Sequence, residues 1–73
     1  MSEYNKIKLF TGYVIVEKED SEFFTPGIEK YLVVNSSSSR VKVGDNVVLL
    51  EKGKDLGDNH FLISEDQIFG VYG

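Results

Sequence analysis

The chain has 73 residues and a mass of 8.2 kDa, enough for one domain spanning residues 1–73 and for no second one. It contains no cysteine and one histidine, His60, so neither disulfides nor a soft-ligand metal site can staple so small a core, and self-association is the device left to supplement it. The formal charge of −4, with no cluster of lysine or arginine, argues against a phosphate-backbone partner, and no apolar run is long enough to cross a bilayer.

The expectation is a protein without nucleic-acid or membrane partners. The opening Met1-Ser2-Glu3-Tyr4 has no apolar signal segment, which points to the cytoplasm. Aliphatic and aromatic residues make up 41 %, too many for a disordered chain. There is no alanine, against nine valines, five isoleucines and nine aromatics, which is the composition of strands and predicts an all-β fold.

Residues 7–18 read as one long strand, with Phe10, Val14 and Val16 on one face and Ile7, Leu9, Tyr13 and Ile15 on the other. A strand apolar on both faces needs two covers: it is either a central strand or one that a second subunit covers. Gly12 within it suggests a bulge or bend. Residues 19–29 then break the pattern. The polar Glu19, Asp20, Ser21 and Glu22 precede Phe23-Phe24, and Thr25-Pro26-Gly27 supplies turn chemistry. Two adjacent phenylalanines in a loop either fold back as a lid or face a partner.

A second strand is predicted over 30–34, followed by the serine run 36–39 as a flexible connector. Gly44-Asp45 turns the chain into a third strand over 47–50, and 51–59 reads as a charged turn region. A fourth strand covers 60–63. Ser64-Glu65-Asp66-Gln67 has capping-box spacing but room for a single turn, a short 3₁₀ corner. A fifth strand covers 68–72. About five short strands with turns between them make a small barrel or sandwich.

Catalysis is not expected, because the lone imidazole has no cysteine beside it and sits at a turn or strand edge. Zinc would need more nitrogen or sulfur ligands than one histidine provides. Asp55, Asp58, Glu65 and Asp66 lack the alternating spacing of a calcium loop, and Gly53 and Gly57 are followed by Asp58-Asn59, not by the Lys-Ser or Lys-Thr of a phosphate loop. Neither enzyme activity nor a cofactor is predicted.

Four segments resemble the GroES-type co-chaperonins, the chaperonin-10 family. Tyr13-Val14-Ile15-Val16-Glu17-Lys18-Glu19 is similar to that family's opening strand, and Lys30-Tyr31-Leu32-Val33-Val34-Asn35 to the strand after its mobile loop. Val41-Lys42-Val43-Gly44-Asp45-Asn46-Val47-Val48 is the most specific match, and Phe61-Leu62-Ile63-Ser64-Glu65-Asp66-Gln67-Ile68-Phe69-Gly70-Val71 is similar to the closing strand pair. The segments lie in family order over about half the chain. Two features are trimmed: a short loop stands in place of the mobile loop, with only Gly27-Ile28 echoing its docking tripeptide, and Ser36 to Ser39 replace the roof hairpin.

The resemblance implies a small GroES-like β-barrel that assembles into a homo-oligomeric, heptameric ring. Such a ring caps the apical domains of an ATP-driven, GroEL-type chaperonin and assists protein folding. The trimmed features suggest a miniaturised, phage-encoded member acting in the host cytoplasm. Its chaperonin-binding loop would be Phe23, Phe24, Pro26, Gly27 and Ile28, and its subunit interface Ile7, Leu9, Phe69, Val71 and Tyr72. The alternative is a structural or adaptor barrel of the same fold, for instance a phage assembly component, that no longer docks on a chaperonin.

Overall fold

The computed structural model describes residues 3–18, 30–51 and 53–71. Its elements run in the order η1 (Tyr4–Lys6), β1 (Tyr13–Lys18), β2 (Lys30–Ser36), β3 (Asn46–Leu49), β4 (Lys54–Gly57), β5 (His60–Ser64), η2 (Glu65–Gln67) and β6 (Ile68–Val71), where η denotes a 3₁₀ turn. The fold is all-β. All six strands belong to one antiparallel sheet of order β4-β5-β1-β2-β3-β6.

The sheet curls around its own inner face in a barrel-like manner. Val14 and Val16 of β1, Tyr31 and Val33 of β2, Val47 of β3, and Phe61 and Ile63 of β5 form one cluster with Val41, and Leu49 and Ile68 pack against it. The alternation within β1, β2 and β5 sends every second side chain into this cluster. Tyr31 and Phe61, on the two strands flanking β1, meet edge to face with centroids 5.9 Å apart.

Among the described residues there are six strands where the sequence predicts five, and the added one is β4. Lys54-Asp55-Leu56-Gly57 carries two charges and no apolar alternation, so it reads as a turn; pairing with β5 makes it a strand. Asp58 and Asn59, with φ of 51° and 62°, close the hairpin as a type I′ turn whose twist matches that of the strands.

The predicted strand over 7–18 is divided. The amide of Tyr13 donates to the carbonyl of Phe10 at 3.2 Å and Gly12 has φ +91°, so residues 10–13 form a turn with glycine where a left-handed conformation is required. Only Tyr13–Lys18 is a strand. Phe10, expected beside Val14 and Val16, is instead 84 % exposed.

The serine run is pinned. Ser36 ends β2 and its hydroxyl donates to the Val41 carbonyl at 2.9 Å. The Ser37 amide donates to the Tyr13 carbonyl, and its hydroxyl accepts the Tyr13 amide and contacts the Phe10 carbonyl. Ser38 is buried, and its hydroxyl accepts the Arg40 amide. Residues 37–45 contain no strand, and Gly44, with φ +98°, and the Asp45 side chain, which accepts the Lys42 amide, turn the chain into β3. The 3₁₀ corner is present: Gln67 Oε1 accepts the Ser64 amide at 2.9 Å.

Candidate subunit interface

Ile15 is 1 % exposed yet lies outside the inner cluster. It belongs to the outer face of the sheet with Tyr13 and Glu17, opposite Leu62 and His60 of β5 and Asn35 of β2. The second cover that an apolar strand of this kind requires is supplied within the chain by the segment before β1. Tyr4 stacks on His60 with centroids 4.3 Å apart and planes 26° apart, and its hydroxyl donates to the Leu56 carbonyl at 2.9 Å. Asn35 Nδ2 donates to the carbonyls of Tyr4 and Ile7, at 2.8 and 2.5 Å.

This arrangement corrects the sequence reading of His60 as a turn or edge residue. The His60 side chain is 7 % exposed, and its strand is internal to the sheet. Its Nδ1 lies 2.8 Å from the Asp58 carbonyl; a carbonyl only accepts, so Nδ1 carries a proton and donates. Nε2 then faces Glu17 Oε2 at 3.9 Å. His60 thus serves as the platform for Tyr4. Among the described residues no group of three or more metal-ligating side chains comes together.

Held at Tyr4 and Ile7, residues 7–10 lie against the outer face without joining the sheet. Ile7 is exposed and Leu9 half-buried. Among the described residues, the backbone amides of Lys8, Leu9 and Phe10 find no acceptor. Lys8, Leu9, Phe10, Tyr13 and Leu62 line an open groove of about 350 Å³.

The last strand offers the second surface. β6 pairs with β3 on one side and is the edge of the sheet on the other. The two edges differ: β4 carries Lys54 and Asp55, charges that discourage further pairing, whereas Ile68-Phe69-Gly70-Val71 has none. Phe69 is 72 % exposed and Val71 is exposed too, and Phe69 is the extra residue of a bulge, since Val48 faces Gly70 and Leu49 faces Ile68. A cleft of about 120 Å³ runs beside the strand, with Arg40 and Glu65 among its walls.

The structure does not pair the two surfaces with each other. Among the described residues β6 pairs with β3 and residues 7–10 belong to no strand ladder, so these two segments do not pair with each other within one chain. Of the residues expected at an interface, Ile7, Phe69 and Val71 are exposed and Leu9 half-buried; Tyr72 lies outside the described residues, as do Phe23, Phe24, Pro26, Gly27 and Ile28 of the expected docking loop. Sequence reasoning missed Phe10 as an exposed residue and Tyr4 as an anchor, although Gly12 signalled the bend that separates them from β1. No helix among the described residues is long and apolar enough to cross a membrane. The chain matches no protein-family model and no curated protein.

Proposed function

We propose that the protein is a non-enzymatic, co-chaperonin-like lid subunit, which assembles into a ring and caps an ATP-driven chaperonin through the apolar loop containing Phe23, Phe24, Pro26, Gly27 and Ile28. The observation that carries the reading is the pair of unsatisfied surfaces: an uncharged sheet edge at β6 and a separate segment, residues 8–10, whose amides find no acceptor among the described residues. Two different patches on one chain that each lack a backbone partner suit head-to-tail association, which closes into a ring when the rotation between copies allows. The all-β sheet and the family order of the four sequence segments support the same reading.

Each loop would bind weakly, because it pays the entropy of ordering on contact. A ring presents several loops together, and multivalency makes their combined grip effective. The work of folding would come from the partner's ATP hydrolysis.

Native mass spectrometry at micromolar concentration counts the subunits, and a heptamer is the expected mass. The paired assay adds the protein to a purified GroEL-type chaperonin and follows binding and ATPase rate. Binding lost in Phe23→Ser/Phe24→Ser with the ring intact supports loop docking. An intact ring that neither binds the chaperonin nor alters its ATPase favours the adaptor-barrel reading.

A further inference from the structure

The segment before β1 is fastened to the sheet by side chains and not by a ladder. Residues 7–10 join no strand, and the amides of Lys8, Leu9 and Phe10 find no acceptor among the described residues. Ile7 and Phe10 are exposed and Leu9 is half-buried, so burial adds little to hold the stretch down. Two grips stand out. At one, the Tyr4 ring stacks on His60 and its hydroxyl donates to the Leu56 carbonyl. At the other, Asn35 of β2 donates from Nδ2 to the carbonyls of both Tyr4 and Ile7. A segment with so few anchors belongs to the low-stability end of a fold, where local opening occurs without global unfolding.

We infer that Asn35 is the positioning residue of this segment and that its clamp gates assembly. With the clamp closed, residues 8–10 form one wall of the groove of about 350 Å³ and present their amides; with it open, the subunit lacks that surface. The chemistry of one amide nitrogen carries the argument. Its two protons serve two carbonyls three residues apart, one of which, that of Tyr4, also accepts the Ile7 amide that closes the 3₁₀ turn. A single side chain therefore fixes both the end of the turn and the start of the stretch that follows. Its base is rigid, because Asn35 lies opposite Ile15 in the central β1–β2 ladder. The groove in turn depends on the clamp, since Lys8, Leu9 and Phe10 of the segment face Tyr13 and Leu62 of the sheet across it. The clamp needs a donor: a carboxylate in place of the amide only accepts, and would set its oxygens against two carbonyl oxygens. A two-state element of this kind scales the apparent affinity between subunits by the fraction of chains in which it is closed.

The inference rests on the assembly proposed above, for which residues 8–10 are one of the two surfaces, and its test needs no chaperonin. Asn35→Asp keeps the shape of the side chain and removes the donor. It is expected to speed hydrogen exchange of the Ile7 amide about tenfold while the amides of β1 exchange as in the parent, and to raise the subunit concentration at which the oligomer dissociates, followed by native mass spectrometry, about tenfold as well. Ile63→Val is the control for general destabilisation: it trims the inner cluster and leaves the clamp, so it should melt at a lower temperature yet assemble as the parent does. If Asn35→Asp does not fold, Tyr4→Phe decides the matter on the same two measurements, because it loses only the bond to Leu56 and keeps the ring stack. An unchanged Ile7 exchange rate would overturn the clamp. Faster exchange with unchanged assembly, or an equal loss of assembly in Ile63→Val, would overturn the gating and leave ring assembly standing. An unaltered protein that is monomeric at every concentration would overturn the ring itself, and the gating with it.

Discussion

Gly53 passes so closely over β5 that a Cβ at its position would strike the carbonyl oxygen of Leu62 and the Cγ2 of Ile63. The backbone carbonyl cannot rotate aside as a flexible side chain could, so any other residue must push the 51–54 stretch off the sheet. Gly53→Ala is expected to lower stability by about 1–3 kcal/mol, the usual cost of overpacking. Gly70→Ala is the matched control: nothing lies within 4 Å of its added methyl and its φ is not left-handed, so its unfolding midpoint in urea should stay within error of the unaltered protein.

The outer layer under the N-terminal segment is a second, smaller core. Ile15→Ala is expected to cost about 2–5 kcal/mol, as for a fully buried aliphatic side chain, although Ile15 does not belong to the inner cluster. Tyr4→Ala should cost about 0.5–1.5 kcal/mol for the lost ring stack. It should also release the Ile7 amide, which donates to the Tyr4 carbonyl, seen as faster hydrogen exchange there than in β1.

The β4–β5 turn places two non-glycine residues in the left-handed region. Asn59→Gly removes that strain and is expected to raise stability by about 0.5–1 kcal/mol, while Asn59→Val should lower it by about 1–2 kcal/mol, because branching at Cβ is poorly tolerated there. Thermal melts of the two variants on either side of the parent would verify the turn, and with it the sixth strand.

Asn46 starts β3 with its side-chain oxygen buried and without a hydrogen-bond partner. An unpaired buried acceptor costs about 1–3 kcal/mol. Asn46→Val removes it and suits a strand, so the variant should unfold at higher urea concentration than the parent. An unchanged or lower midpoint would show that Asn46 is satisfied in the folded protein.

The strands were legible where their apolar residues alternate. Val14 and Val16 announce an inner face by spacing, although Phe10, read with them, lies outside it, and Ser64 to Gln67 announces its corner by capping chemistry. β4 was not legible, because an edge strand facing water has no need of apolar alternation; its one local sign was the Asp58-Asn59 pair. Of the candidate interface residues, sequence position brought Ile7, Leu9, Phe69 and Val71 into view as apolar residues near the termini, whereas Phe10 and Tyr4 could be placed only in three dimensions.

What the sequence by itself determined is therefore the all-β class, the Val14 and Val16 face of the first strand, the bend at Gly12 and the turn at Gly44, since each follows from local sterics or from a period of two. What only the tertiary structure decided is which residues share a surface. The cover over Ile15 depends on contacts from Tyr4 to His60 and Leu56, more than fifty residues away in the chain. The difference between a charged edge and an open one depends on which strands end the sheet. Both are properties of long-range pairing, which local spacing does not encode.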